Sequence, residues 1–355
     1  MSEPDFETLI GLVSQYSPSG QERGAVEWLV TRMRSLSYDD AFIDGAGNAV
    51  GVMGKGPKQV VLLGHIDTVP GEIRVERDNI WLYGRGAVDA KGPLASFVDA
   101  VAGVGAIDGW QFIVVGAVEE ERDSEGARFV ADQYKPDFAI IGEPNQWDRV
   151  ALGYKGSAWA NVTVRRDQAH TASGEETAAE AAIELWLKIK AYADSFNANK
   201  QKVFDQLLLT LRGIESESND FEQWARLRVG VRLPVEVSPH DWYKKLEEVA
   251  GDADVERVGF AIPAWGGEKN TRLVRAFLSG IRSQLGEPRF VYKTGTADLN
   301  IVAPVWKCPA VVYGPGDSSL DHTPNEHINL DDYGKSVSVL CHVLQQLGNR
   351  PLVSG

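Results

Sequence analysis

Apolar positions near the start of the chain recur with a helical period. Phe6, Leu9, Ile10, Leu12 and Val13, and then Val26, Leu29, Val30 and Met33, predict two amphipathic helices. Ser17-Pro18-Ser19-Gly20 between them is turn chemistry. The pattern then changes to short, uninterrupted apolar runs at 60–63, 112–115 (continued by Ala117 and Val118), 138–141 and 310–313. Runs this short without polar alternation predict strands buried on both faces, as in a parallel sheet covered by helices. Residues 93–104 and 125–133 predict the crossover helices that such a sheet needs.

The middle of the chain is patterned differently. Residues 158–165 alternate like a half-exposed strand, a helix follows over 176–193, and 207–211 and 225–233 are strand-like. A second helix, 239–249, is entered through Ser238 as N-cap with Pro239 at its first position, and a last strand spans 255–262. The order β-α-β-β-α-β predicts a split-βαβ (ferredoxin-like) unit over 156–264, inserted into an α/β domain formed by 1–155 and 265–355. The Gly-rich stretches 153–156 and 264–267 are the predicted hinges, and the chain then returns to helix (271–285) and strand.

Composition narrows the partners. With 50 acidic against 36 basic residues among 355, the chain carries a formal charge of −14, a poor match for nucleic acid or anionic lipid. No apolar run reaches the ~20 residues of a membrane helix. The opening Met1-Ser-Glu-Pro-Asp-Phe-Glu lacks the basic and apolar regions of a signal peptide, so a cytoplasmic protein is expected. Two cysteines, Cys308 and Cys341, make neither a disulfide framework nor a cysteine-rich zinc site.

Ligands of open α/β sheets bind at the carboxyl ends of the strands, and there the polar residues collect. The four apolar runs end in His65-Ile-Asp67, Glu119-Glu120-Glu121, Glu143-Pro144, and Asp317 with His322 beyond it. Carboxylates gathered in one crevice repel unless a cation lies among them. Imidazole and carboxylate donors without thiolate suit zinc, cobalt or manganese in a catalytic site. On an extended chain Asp67 shares a face with His65 and can fix its tautomer. The loop Gly84-Arg-Gly-Ala-Val-Asp89-Ala-Lys-Gly92 delivers Asp89 to the start of a helix; its spacing matches neither a P-loop nor G-x-G-x-x-G.

Taken together, His65-x-Asp67-x-x-Pro70, Gly84-Arg-Gly-x-x-Asp89-x-Lys-Gly92, the glutamates ahead of Gly126-Ala127, Gly142-Glu143-Pro144 and His322-x-Pro-Asn-Glu326 resemble the M20 family of dinuclear zinc amidohydrolases, in the family's order and across the whole chain. The resemblance implies two divalent ions, zinc or cobalt, with Asp89 bridging them. His65 and Glu143 would complete one site, Glu121 and His322 the other. It further implies that Asp67 orients His65 and that Glu120 is the general base; a one-residue slip within the three glutamates would give Glu119 and Glu120 instead. The inserted segment resembles the family's lid and dimerisation domain, with His170 reaching across a homodimer to the scissile carbonyl. Gly295-Thr296-Ala297-Asp298 resembles a substrate-binding segment, with Gly295 and Thr296 as contacts.

Within the family, 64–73, 82–94 and 118–121 are most similar to the hydrolases that release lysine or ornithine from an amino-group carrier protein in lysine and arginine biosynthesis. An acidic carrier would require a basic patch on this acidic chain, for which Arg165, Arg166, Lys188 and Lys190 are the candidates. The alternatives are an acetylornithine deacetylase or succinyl-diaminopimelate desuccinylase acting on small acylated amino acids, or a metal-stabilised binding protein without catalysis.

Overall fold

A computed structural model of the chain describes residues 6–170 and 172–348. They form two units: one made of the chain up to Leu152, Gly267–Val291 and the chain from Ala297 onward, the other of Gly153–Gly266 with Tyr292–Thr296.

The first unit is built on a sheet with the strand order Asp40–Ile43, Ala49–Met53, Trp110–Ala117, Lys58–His65, Phe138–Gly142, Ala310–Val312, Arg149–Tyr154. The four apolar runs supply its parallel centre, and antiparallel strands flank it on both sides. Val60 to Leu63 and Phe112 to Val115 are at most 1% exposed, as strands covered on both faces must be. Three glycines, Gly64, Gly116 and Gly142, stand in register across three adjacent strands. The helix Lys91–Val104 lies directly over them: a Cβ on Gly64 would stand 3.2 Å from Leu94, and one on Gly142 2.8 Å from the Phe97 ring. That close approach seats Leu94 and Phe97 fully in the core, where each buried side chain of this size contributes roughly 1.5–3 kcal/mol. Helices Arg272–Ser283 and Leu330–Gly348 add further buried faces.

The second unit is a four-stranded antiparallel sheet in the order Leu208–Ser218, Glu222–Leu233, Gly156–Asp167, Asp254–Ile262. Helices Ala178–Asn197 and Pro239–Ala250 share one core with it, through Leu185, Ile189, Trp242 and Leu246 against Val162, Leu227 and Val229. Ser238 caps the second helix by accepting from the Asp241 amide, and Thr177 with Glu180 forms a capping box on the first. Two of the candidate basic residues, Arg165 and Arg166, are spent on acids of the same unit: Arg165 on Glu222 and Asp254, Arg166 on Glu176 and Asp252. Lys190 pairs with Asp194 one helical turn on. Three of the four candidate basic residues are thus engaged in local ion pairs.

Several elements lie outside the predicted pattern. The edge strands Asp40–Ile43 and Ala49–Met53, the strand Arg149–Tyr154, a small sheet of Glu76–Asp78, Trp81–Tyr83 and His327–Asn329, and the helices Leu299–Trp306 and Leu330–Gly348 complete the first unit. Tyr292–Thr296 belongs with the inserted unit, so Gly295 and Thr296 lie there. Among the described residues, no helix is long and apolar enough to cross a membrane.

Candidate metal centre

His65 is the last residue of its strand and is 2% exposed. Its Nε2 faces Asp89 Oδ1 at 3.2 Å. The other oxygen of the same carboxylate, Oδ2, lies 3.0 Å from His322 Nε2, which also stands 2.9 Å from Glu121 Oε1. One carboxylate therefore spans two imidazoles, each on its own oxygen. Among the described residues, three sets offer one ligand atom each within 4.8 Å of one another: His65, Asp89 and Glu143; His65, Glu120 and Glu121; Asp89, Glu121 and His322. The sheet explains the convergence. Glu143 follows the strand Phe138–Gly142 directly, and Glu119–Glu121 follow Trp110–Ala117, both parallel neighbours of the His65 strand.

The electrostatics are those of an anion-rich crevice. Burial pushes the carboxyls of Glu120 and Glu143 well above the usual range; the His65 charge opposes this and neighbouring acids add to it. Burial would raise Asp89 as well, but hydrogen bonds from His322 and His65 outweigh it and hold this carboxyl far below its usual value. His322 is drawn up to about 10 by Asp89 and Glu121. Burial pulls the His65 imidazolium down, yet Asp67 and Asp89 raise it well above the ordinary histidine value. The residues fit divalent cations: two imidazole nitrogens and four carboxylates converge with no thiolate among them.

Asp67 does more than the sequence predicts. His65 Nδ1 lies 3.0 Å from the Asp67 backbone carbonyl and 3.4 Å from its carboxylate. The carboxylate itself accepts from the amides of Glu120 and Glu121, both at 3.1 Å, and from the Ser19 hydroxyl at 2.7 Å. It therefore fixes the turn that presents those two glutamates. Glu119 is turned aside at φ +61° and pairs with Arg122 at 2.7 Å. Glu120 and Glu121, and not Glu119, are in the sets of converging ligand atoms found among the described residues.

His170 is exposed in the inserted unit, where its Nδ1 accepts from the Ala172 amide at 3.1 Å. Thr171, beside it in the same motif, is outside the described residues. Thr296 accepts from Arg232 at 3.3 Å. Sequence reasoning missed two buried acids. Asp298 is 2% exposed, and burial, against the pull of the His65 charge, raises its carboxyl to about 7. Glu326 is fully buried against Arg85. Both belong to the motifs that end in Glu326 and Asp298, but nothing local marks them as buried, because the Arg85 partner of Glu326 lies 241 positions away in sequence.

Residues 61–346 match the model of peptidase family M20/M25/M40. The chain belongs to this family and is a metal-dependent hydrolase, whose centre takes divalent ions. It is 41% identical over 344 residues to the [LysW]-lysine hydrolase of Deinococcus radiodurans, covering 94% of each chain. It is 39% identical over 348 residues to the putative [LysW]-lysine/[LysW]-ornithine hydrolase of Thermococcus kodakarensis, covering 98% of this chain and 93% of that one. Among solved structures it resembles aminopeptidase PepT from Bacillus cereus, at 17% identity, a TM-score of 0.79 and coverage of 97% and 99% of the two chains.

Proposed function

We propose that this protein hydrolyses the amide joining the α-amino group of lysine or ornithine to an amino-group carrier protein, releasing the free amino acid in the cytoplasm. The observation that carries the metal chemistry is the Asp89 carboxylate shared between His65 and His322. The proposed roles place one ion, zinc by preference over cobalt, with His65, Asp89 and Glu143 and a second with Asp89, Glu121 and His322. Such a pair of ions supplies an acidified water and a polarised carbonyl. The carrier-linked substrate rests on the relatives' names and on their similarity along nearly the full chain.

Glu120 sits in the ligand sets without being needed to complete either proposed ion site. Its elevated pKa suits a group that takes a proton from the attacking water and returns it to the leaving amine. Asp67 keeps Glu120 and Glu121 aimed inward by holding their amides. In this reading His170 serves the oxyanion in the partner subunit of a homodimer formed through the inserted unit, and Gly295 and Thr296 contact substrate.

The test is a comparison of substrates at equal enzyme concentration: carrier-linked lysine, carrier-linked ornithine, N-acetylornithine and N-succinyl-diaminopimelate. Preference for a carrier-linked substrate supports the reading. Efficient turnover of the free acylated amino acids with none of the carrier would place the chain with the small-substrate branch. Chelator-insensitive binding without hydrolysis of any of them would indicate a binding protein.

A further inference from the structure

Glu326 and Arg85 form a buried pair that the proposed chemistry does not use. We infer that this pair is a positioning device for one half of the metal centre, the half holding Asp89, Glu121 and His322. The inference rests on the two-ion reading above.

Glu326 is 0% and Arg85 7% exposed, and their side chains meet at 2.8 Å. The second oxygen of Glu326 accepts from two successive backbone amides, Val88 at 2.9 Å and Asp89 at 3.0 Å. The Glu326 carbonyl also accepts from the Gly84 amide at 3.2 Å. One residue thus fastens both ends of the loop that carries Asp89. Arg85 extends the clamp: Nη1 also donates to the carbonyl of Thr323, next to His322, at 3.1 Å, and Nε to the carbonyl of Gly71 at 2.9 Å.

The two halves share Asp89 and differ in how their other ligands are held. His65 ends a central strand and Glu143 directly follows another, so the sheet sets both. Asp89 and His322 stand on loops; His322 has φ +61° and a side chain about half exposed (51%). Besides the direct His322–Asp89 contact, Glu326 and Arg85 tie the Asp89 loop to the segment that follows His322. A buried ion pair is a weak source of stability, because desolvation offsets most of its attraction. Its return here is geometric: charge-assisted acceptors fix amide directions better than an apolar contact does. Such supporting residues typically set metal affinity by 10–100-fold.

The experiment is a calorimetric zinc titration of chelator-stripped protein, wild type against Glu326→Ala and Glu326→Gln, with thermal melts of the same metal-free samples. Wild type should take up two ions per chain. Glu326→Ala should bind the ion at Glu121 and His322 about ten- to a hundredfold more weakly, and the other ion, still held by His65 and Glu143 on the sheet, with a smaller loss. Glu326→Gln retains an oxygen for the two amides but not the charge for Arg85, and should fall between them. If the alanine variant does not fold, the glutamine variant carries the test. Two sites with wild-type affinities, or equal weakening of both, overturns the inference and leaves the two-ion reading standing. A wild-type protein that takes up no pair of ions overturns both.

Discussion

At the scale of single residues the centre separates metal holding from proton transfer. Glu120→Gln removes the acceptor for the water proton while leaving His65, Asp89, Glu121, Glu143 and His322 in place. Turnover is expected to fall by about 10²–10⁴, the usual contribution of a positioned general base, with zinc content unchanged by elemental analysis; near-normal turnover would remove Glu120 from that role. Asp67→Ala acts one step back. It frees the amides of Glu120 and Glu121 and is expected to weaken metal binding about 10–100-fold, measured by titration, with the far-ultraviolet circular dichroism of the folded protein retained. Lost helix signal in that variant would instead mean that Asp67 supports the fold itself.

Among the elements, the helix Lys91–Val104 is the one whose seating matters most, because it starts two residues after Asp89. It rests on a floor of Gly64, Gly116 and Gly142. Gly142→Val drives a methyl into the Phe97 ring, 2.8 Å from the position of a Cβ, and should cost about 1–3 kcal/mol. The denaturant midpoint reads this, and an unchanged midpoint would mean that the helix can lift off the sheet at no cost. Much of this layer was legible in the sequence, since each central run is followed by a glycine and, within three residues of it, an acid or a histidine, and both helix-capping serine and crossover helices stand where the pattern puts them. The edge strand Asp40–Ile43 and the three-residue strands of the small sheet were not, because a half-covered strand of three or four residues such as Asp40–Ile43 or Trp81–Tyr83 carries too few positions to show a period. The same limit hid Glu326 and Asp298: their partners, Arg85 and the His65 neighbourhood, are brought to them only by tertiary folding.

For the molecule as a whole, the acid-rich crevice ties stability to pH and to metal in opposite directions. In the metal-free protein His65 and His322 have folded pKa values above the ordinary 6.5, His322 at about 10. Their imidazolium–carboxylate contacts therefore stabilise the fold fully below about pH 6.5 and lose that contribution as pH rises through the folded values. Asp89, held low, contributes above its ordinary pKa of 3.8 and stops doing so as acid protonates it. Metal binding runs the other way, because both imidazoles must give up their protons to coordinate. The drop in melting temperature on adding chelator should accordingly be larger at about pH 8 than at about pH 6. Melts at the two pH values with and without chelator check this, and a drop independent of pH would contradict the imidazole ligands.

Anomalous scattering at the zinc edge, from crystals of the whole chain grown with zinc, addresses the paired-ion centre itself. Two peaks sharing the Asp89 carboxylate are predicted, one beside His65 and Glu143 and the other beside Glu121 and His322. A crevice without zinc peaks, its imidazoles and carboxylates directed away from one another, would contradict the account.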